Sequence, residues 1–454
     1  MPADPDALYL AIAEAIATDL SAGVLVPGDR LPPQRELADR LGVALGTVTR
    51  GYAEAERRGL VHGQGRRGTF VSDVARQRSG LRSLVDTSGL IDLSANHPAP
   101  SLDPDLAPPL KVLARRSDVG SLLSYPPSDG LPRHREAAAR WLVAQGVPCA
   151  AEAVVMTAGA QHAIGVTLAA VTRPGDEIAC EPLSYPGMKA AAGYLGLTLV
   201  AVPADPCGLD PDGFARLCRT RSIRLLYVIP TLQNPTSAIL PAARKRAIVA
   251  IARRHDVLIL EDEINRALTE HANEPFTGLA PERSFLVTSS SKALTAGLRV
   301  GCVVGPPAYR GALVESVMAS LIGLSPLPAE LFAIWIDDGS AARTIAARRK
   351  EARARQREAR RLLGRSTATI RSHPDSSHLW LELPGRWPLR DFVRDARARG
   401  VAVAPADIFA TGAQVPPAVR VALSAPPSRA RMIEGLRAIA DLLADVPRPR
   451  MATL

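Results

Sequence analysis

Apolar residues first recur at helical spacing over 7–20, where Leu8, Ala11, Ile12, Ala15 and Ile16 share a face and Leu20 closes it. Gly23 and Pro27-Gly28 stop that helix and turn the chain. A second helix is predicted from Leu31 to Leu41, with Pro32 and Pro33 at its start, where a missing N–H costs little. Gly42-Val43 makes a tight turn, and a third helix runs from Leu45 to Arg58. Gly63 to Val71 then reads as a hairpin with Arg66 and Arg67 between glycines at its tip. Val74 to Asp92 has little apolar periodicity and is expected to be a tether.

From Leu93 onward the pattern changes to short apolar runs separated by helical stretches. Buried strands are predicted at 153–157, 177–180, 225–229, 257–260, 285–287 and 300–304, and further strands at 378–383, 400–404 and 418–424. Pro132 to Leu142 and the arginine-rich stretch 341–364 are predicted helices, the latter a solvated connector.

Composition narrows the picture. The chain has 454 residues and a net charge of +10, enough for two or three units and compatible with a polyanionic partner. Aromatics are only 4%, so the cores must be aliphatic. The five cysteines form no CxxC pair, which argues against a zinc site or a disulfide scaffold, so no metal is expected. Free thiols suit a reducing cytoplasm. The first residues lack a signal-peptide pattern, and no apolar run is long enough to span a bilayer, so a cytoplasmic location without membrane contact is expected.

The chemistry centres on Lys292. It follows the strand at 285–287 and a run of serines, and Arg299 precedes the next strand. Such an amine forms a Schiff base with a carbonyl cofactor, and Ser289 with the planar fork of Arg299 suits that cofactor's phosphate. Lysine is rare here: Lys111, Lys189, Lys245, Lys292 and Lys350 complete the set, and Lys292 alone lies between two strand-like runs. The small residues Gly159-Ala160-Gln161, between a strand and a helix, let backbone N–H groups approach a phosphate.

In order along the chain these segments resemble the fold-type I aminotransferases. The resemblance implies a mostly parallel central sheet with helices on both faces, a smaller C-terminal α+β part, and pyridoxal 5′-phosphate on Lys292. It implies that Gly159, Ala160, Gln161, Ser289 and Arg299 hold the phosphate and that Tyr185 stacks on the pyridine ring. Asn234 would point at the phenolic oxygen, Asp262 would pair with the pyridine nitrogen, and Tyr125 would reach the partner's phosphate in a homodimer. Arg420 would fork an effector's carboxylate. Two departures stand out: Ser237 replaces a usual glycine, and Asn265 replaces a tyrosine common in relatives. The second implies altered tuning of the Schiff base and weak or half-reaction transamination at most.

Residues 4–73 resemble the winged helix-turn-helix of GntR-family regulators, through Pro27-Gly28-x-x-Leu31-Pro32, Arg35-Glu-Leu-Ala, Leu41-Gly42-Val43, Thr47-Val48 and Gly68-Thr-Phe-Val71. The resemblance implies double-stranded promoter DNA as partner, with Arg35, Thr47, Thr49, Arg50, Arg66 and Arg67 as the contacts. Leu45 and Gly46 stand where the family often has an arginine, which places a base or phosphate contact at Arg50 if it is kept. Basic and acidic residues nearly balance in this unit, the local excess lying at Arg50, Arg57, Arg58, Arg66 and Arg67. The expected organisation is a DNA-binding unit at 4–73, a linker at 74–92 and a cofactor-binding body at 93–448, divided near 335. That pairing resembles the MocR subgroup: dimeric regulators that sense an amino compound or pyridoxal phosphate. The alternative is a working aminotransferase that carries a DNA-binding appendage.

Overall fold

The computed structural model describes residues 5–21, 25, 29–63, 68–71 and 89–445. The chain divides into two units, one ending at Val85 and the other beginning at Asp86.

In the first unit, helices α1 (Pro5–Ser21), α2 (Gln34–Leu41) and α3 (Leu45–Arg57) precede an antiparallel pair, β1 (Val61–Gly63) and β2 (Thr69–Val71). The core is Ala13, Ile16, Leu31, Ala38, Val48, Tyr52, Ala55, Val61 and Val71. α1 and α3 cross closely at Gly51, where a Cβ would lie 2.9 Å from the Ile12 side chain. Gly42 ends α2 at φ 64°, in the left-handed region that favours glycine. α2 starts three residues later than expected, because Pro33 holds Pro32 extended and itself becomes the N-cap. The turn at Gly23 and Pro27-Gly28 and the wing tip with Arg66 and Arg67 lie outside the described residues.

The second unit begins with β3 (Ile91–Leu93). Its large sheet contains β4 (Val154–Thr157), β5 (Glu177–Cys180), β6 (Thr198–Ala201), β9 (Ile223–Val228), β10 (Leu258–Asp262), β11 (Ser284–Ser289) and β12 (Gly301–Val304). The remaining pair, β7 (Ala204–Asp205) and β8 (Gly208–Leu209), forms a separate hairpin. The large sheet runs β4-β12-β11-β10-β9-β5-β6, and only β12 is antiparallel to its neighbours. Helices cover it, so its strands are buried on both sides and read as continuous apolar runs. In a parallel sheet of this kind ligands gather at the carboxyl ends of the strands. Asp262 ends β10, and Lys292 follows β11 within a helical turn, Ser290–Ala293.

A second sheet contains β13 (Thr369–Arg371), β14 (His378–Glu382), β15 (Val401–Pro405) and β16 (Ala418–Ala422), in the order β13-β14-β16-β15-β3. β3 corrects the expected tether: Ile91 and Asp92 pair in parallel with Val401 and Ala402, because Ile91 and Leu93 belong to this sheet's core. The long helix Ser340–Leu363 is likewise not simply solvated. Arg348 and Arg355 are 6% and 3% exposed. Arg348 donates to the carbonyls of Ala99 (3.1 Å) and Ala293 (3.1 Å), and Arg355 to those of Leu423 (2.6 Å) and Pro426 (2.9 Å). These arginines satisfy loop carbonyls that helix packing has taken out of water.

Candidate functional site

Lys292 remains partly exposed at its surface, yet its amine lies among protein atoms and donates to the Asn96 carbonyl. That desolvation, followed by the charge of Arg420, lowers the ammonium from 10.5 to about 8, and Asp262 only partly opposes the fall. The shift raises the fraction of neutral, nucleophilic amine at neutral pH.

Asp262 is buried, and burial pushes its carboxyl up to about 6. Two donors oppose that: the Tyr227 hydroxyl to Oδ2 at 2.8 Å and the Ile264 N–H to Oδ1 at 3.1 Å. Tyr227 comes from the neighbouring strand β9 and was not singled out from sequence, since it sits inside an ordinary apolar run. Asn265 is buried; its amide donates to the Leu232 carbonyl at 2.8 Å, and its Oδ1 has no partner.

An anion cradle lies beside the lysine. Gly159 caps the helix Ala160–Val171 at φ 86°, and a Cβ there would lie 3.1 Å from an Arg299 nitrogen. The helix's first amides, Ala160 and Gln161 among them, have no intrahelical acceptor by geometry. Gln161's side chain is engaged elsewhere, donating to the Gly187 carbonyl at 2.9 Å. Ser289 Oγ accepts from the Ser291 N–H at 3.3 Å, and the Ser291 hydroxyl is buried without a partner. Guanidinium, helix N-terminus and hydroxyls together fit a phosphate. With the amine of Lys292 and the buried Asp262, the residues present fit pyridoxal phosphate.

Arg420, on β16, is buried over the Phe409 ring, 4.8 Å from its centroid. It donates to Asn234 Oδ1 at 2.7 Å and to the Ser94 carbonyl at 2.5 Å, while its Nε has no partner. Burial holds its guanidinium down to about 10. Tyr185 is half-buried at the start of the helix Pro186–Tyr194, and burial first, then the Asp262 charge, pushes its phenol up. Ser237 adopts φ 65°, the conformation a glycine would suit; its hydroxyl pairs with that of Ser376 at 2.9 Å and donates to the His378 carbonyl at 3.1 Å. Those bonds offset the strain of a side chain in the left-handed region.

The fold thus gathers Gly159, Ala160, Gln161, Tyr185, Asn234, Asp262, Ser289, Lys292, Arg299 and Arg420 around one region. Tyr125 stands apart at 85% exposure. Asn96, Tyr227 and His378 were missed because nothing in their local spacing marks them. His378 Nε2 lies 3.1 Å from the Gln233 carbonyl and Nδ1 3.4 Å from the Asn96 amide, so it ties β14 to both segments.

In the first unit Arg35 is exposed, Thr47 half-buried and Thr49 exposed. Thr49 Oγ1 donates to Gln34 Oε1 at 2.8 Å and to the Leu45 carbonyl at 3.0 Å. Arg50 lies over the Tyr9 ring, 4.3 Å from its centroid. Arg57 and Arg58 pair with Glu54 at 2.7 and 2.6 Å, which lowers that carboxyl to about 2. The charges of Arg57 and Arg58 are therefore met by carboxylates, Arg58 also pairing with Glu14 at 3.0 Å.

A model for aminotransferase class I and II matches residues 88–439. The chain belongs to that family. Ahead of the aminotransferase-family body, a model for bacterial regulatory proteins of the gntR family matches residues 8–71. That arrangement is the MocR subgroup's, a transcription regulator with an aminotransferase-like domain. An uncharacterized HTH-type transcriptional regulator of Bacillus subtilis, YdeF, is 29% identical over 97% of this chain and 95% of its own. The HTH-type pyridoxine biosynthesis transcriptional regulator PdxR of Corynebacterium glutamicum is 28% identical over 72% of this chain and 71% of its own. Among solved structures, the α-aminoadipate aminotransferase LysN of Thermus thermophilus, complexed with N-(5′-phosphopyridoxyl)-L-leucine, superposes with a TM-score of 0.72 at 25% identity. That match covers 81% of this chain and 94% of LysN. No helix among the described residues is long and apolar enough to cross a membrane.

Proposed function

We propose that this protein is a transcriptional regulator whose first unit binds promoter DNA and whose body carries pyridoxal phosphate on Lys292, its affinity for DNA responding to an amino compound or to the cofactor itself. One observation carries the reading: a GntR-matched head precedes a body in which Lys292, Asp262, Arg299 and Arg420 converge. Pyridoxal phosphate supplies an aldehyde with which a primary amine, that of Lys292 or of an effector, condenses reversibly.

The chain's own residues divide the remaining work. Arg299, the amides at Ala160 and Gln161, and the serine hydroxyls hold the phosphate. Burial lowers the Lys292 ammonium to about 8, so a larger share of its amine is neutral at neutral pH than in an exposed lysine, and it gives up its proton more readily. Tyr227 and Ile264 hold Asp262 in place as the acceptor for a pyridinium N–H. Arg420 takes an effector's carboxylate by releasing Asn234 and Ser94. The bond to Asn234 joins β16 of the second sheet to the loop after β9 of the first, so a ligand that replaces it repositions the second sheet against the first. Such a shift requires unequal ligand affinity for the two states. Asn265 leaves the site without the phenol that a fast transaminase would use here, which favours sensing over turnover.

We also read the protein as a homodimer. Gly323 packs against Pro126 and Pro127, so the exposed Met318, Leu321 and Ile322 adjoin the exposed Leu123 and Tyr125. This apolar surface suits a second copy and lets Tyr125 enter the partner's site. The free thiols of all five cysteines fit a cytoplasmic setting.

The test is a promoter-binding titration with and without pyridoxal phosphate and a panel of amines. A changed affinity supports the reading; promoter binding indifferent to all of them overturns it. Steady release of a keto acid from an amino acid would instead favour the enzyme.

A further inference from the structure

The first turn of α3, Leu45-Gly46-Thr47-Val48, carries no charged side chain. Leu45 is 42% exposed at the helix's first position, and Gly46 beside it offers no side chain, with nothing within 4 Å of where a Cβ would sit. Thr49 lies one turn on, over the same face. Its hydroxyl hydrogen is committed to Gln34 and to the Leu45 carbonyl, so the side chain has no donor left to offer a base, only its methyl and an accepting oxygen. Arg50, the basic residue nearest this turn, is stacked on the Tyr9 ring of α1. Leu45 is therefore the large apolar side chain that the helix-turn-helix exposes at this point, flanked by the exposed Arg35.

In the major groove guanine is read by paired donors from arginine or lysine, whereas the thymine 5-methyl is read by apolar contact. We propose that Leu45 is a specificity-determining residue that packs on a thymine methyl, so that each operator half-site carries a T·A pair beneath the start of α3 and no guanine is read there. The inference rests on the DNA-binding role given above to this unit and commits to the duplex as the occupant of this face. The match of residues 8–71 to a DNA-binding regulatory domain supports the duplex over a protein surface.

The experiment is selection of duplexes from a randomised pool by the full-length protein, repeated with Leu45→Ala and Leu45→Arg. Because Leu45 is exposed, both variants are expected to keep the wild-type melting temperature and salt-dependent binding to non-specific DNA. Wild type should enrich a T·A pair at one symmetric position. Leu45→Ala should lose that preference alone, and Leu45→Arg should convert it to G·C by at least about fivefold. A G·C pair enriched by wild type at that position, an unchanged preference in Leu45→Arg, or a change in self-association without a change in base preference would overturn the proposal. Failure of wild type to retain any duplex, even at low salt, would instead sink the DNA-binding role itself and the proposal with it.

Discussion

At the scale of single residues, the site is a small number of charges tuned by burial. An ordinary lysine titrates near 10.5; Lys292 titrates near 8. Condensation needs the neutral amine, so covalent attachment of pyridoxal phosphate should rise with pH and level off above about 8, two units below an exposed lysine. Borohydride trapping followed by mass spectrometry measures this, and Lys292→Ala should abolish the attachment. Tyr227→Phe removes the hydroxyl that bonds buried Asp262, at a cost of roughly 1–3 kcal/mol. The Asp262 carboxyl should then titrate above about 6, and the cofactor should dissociate about tenfold more readily in equilibrium dialysis. Lys292, Asp262 and Arg299 were legible in the sequence because each sits at a strand end within a recognisable segment. Tyr227 was not, because only the pairing of β9 with β10 brings its hydroxyl to Asp262.

At the scale of elements, the helix Ser340–Leu363 and strand β14 hold the body's two sheets together. The helix is rich in arginine, but its arginines have unlike fates. Arg348→Met would leave the carbonyls of Ala99 and Ala293 without this donor and the Asp103 carboxylate with the Thr295 hydroxyl in place of a cation. Each buried carbonyl left without a donor costs about 1–3 kcal/mol, so this variant should unfold at lower denaturant. Arg361→Ala breaks only an exposed pair with Glu358 and should cost less than about 1 kcal/mol. His378, at the other contact, is buried neutral and pushed down to about 3 by burial. Unfolded, it would titrate near 6.5. Between those values the unfolded chain binds the extra proton, so stability rises with pH and is lost on acidification from about 6.5 towards 3. His378→Gln should flatten that part of the stability profile in denaturant titrations at successive pH values.

At the scale of the whole molecule, the two units are read separately, and what links them is function. The body exposes Leu123 at 88% and Tyr125 at 85%, on the face proposed above for a second copy. Leu123→Glu should shift sedimentation towards the monomer. On the proposed dimer, in which Tyr125 reaches the partner's site, pyridoxal phosphate retention should fall with it.

The amino-acid sequence by itself determined the order of elements and the two kinds of unit, and it singled out Lys292 as the candidate amine, because periodicity, turn residues and strand-end motifs are local. Only the tertiary structure decided that Ile91 and Asp92 join the second sheet, that Arg348 and Arg355 turn inward, and that Arg420 meets Asn234. Those outcomes depend on which distant carbonyls, carboxylates and rings end up sharing a low-dielectric space, and no local pattern encodes a partner two hundred residues away.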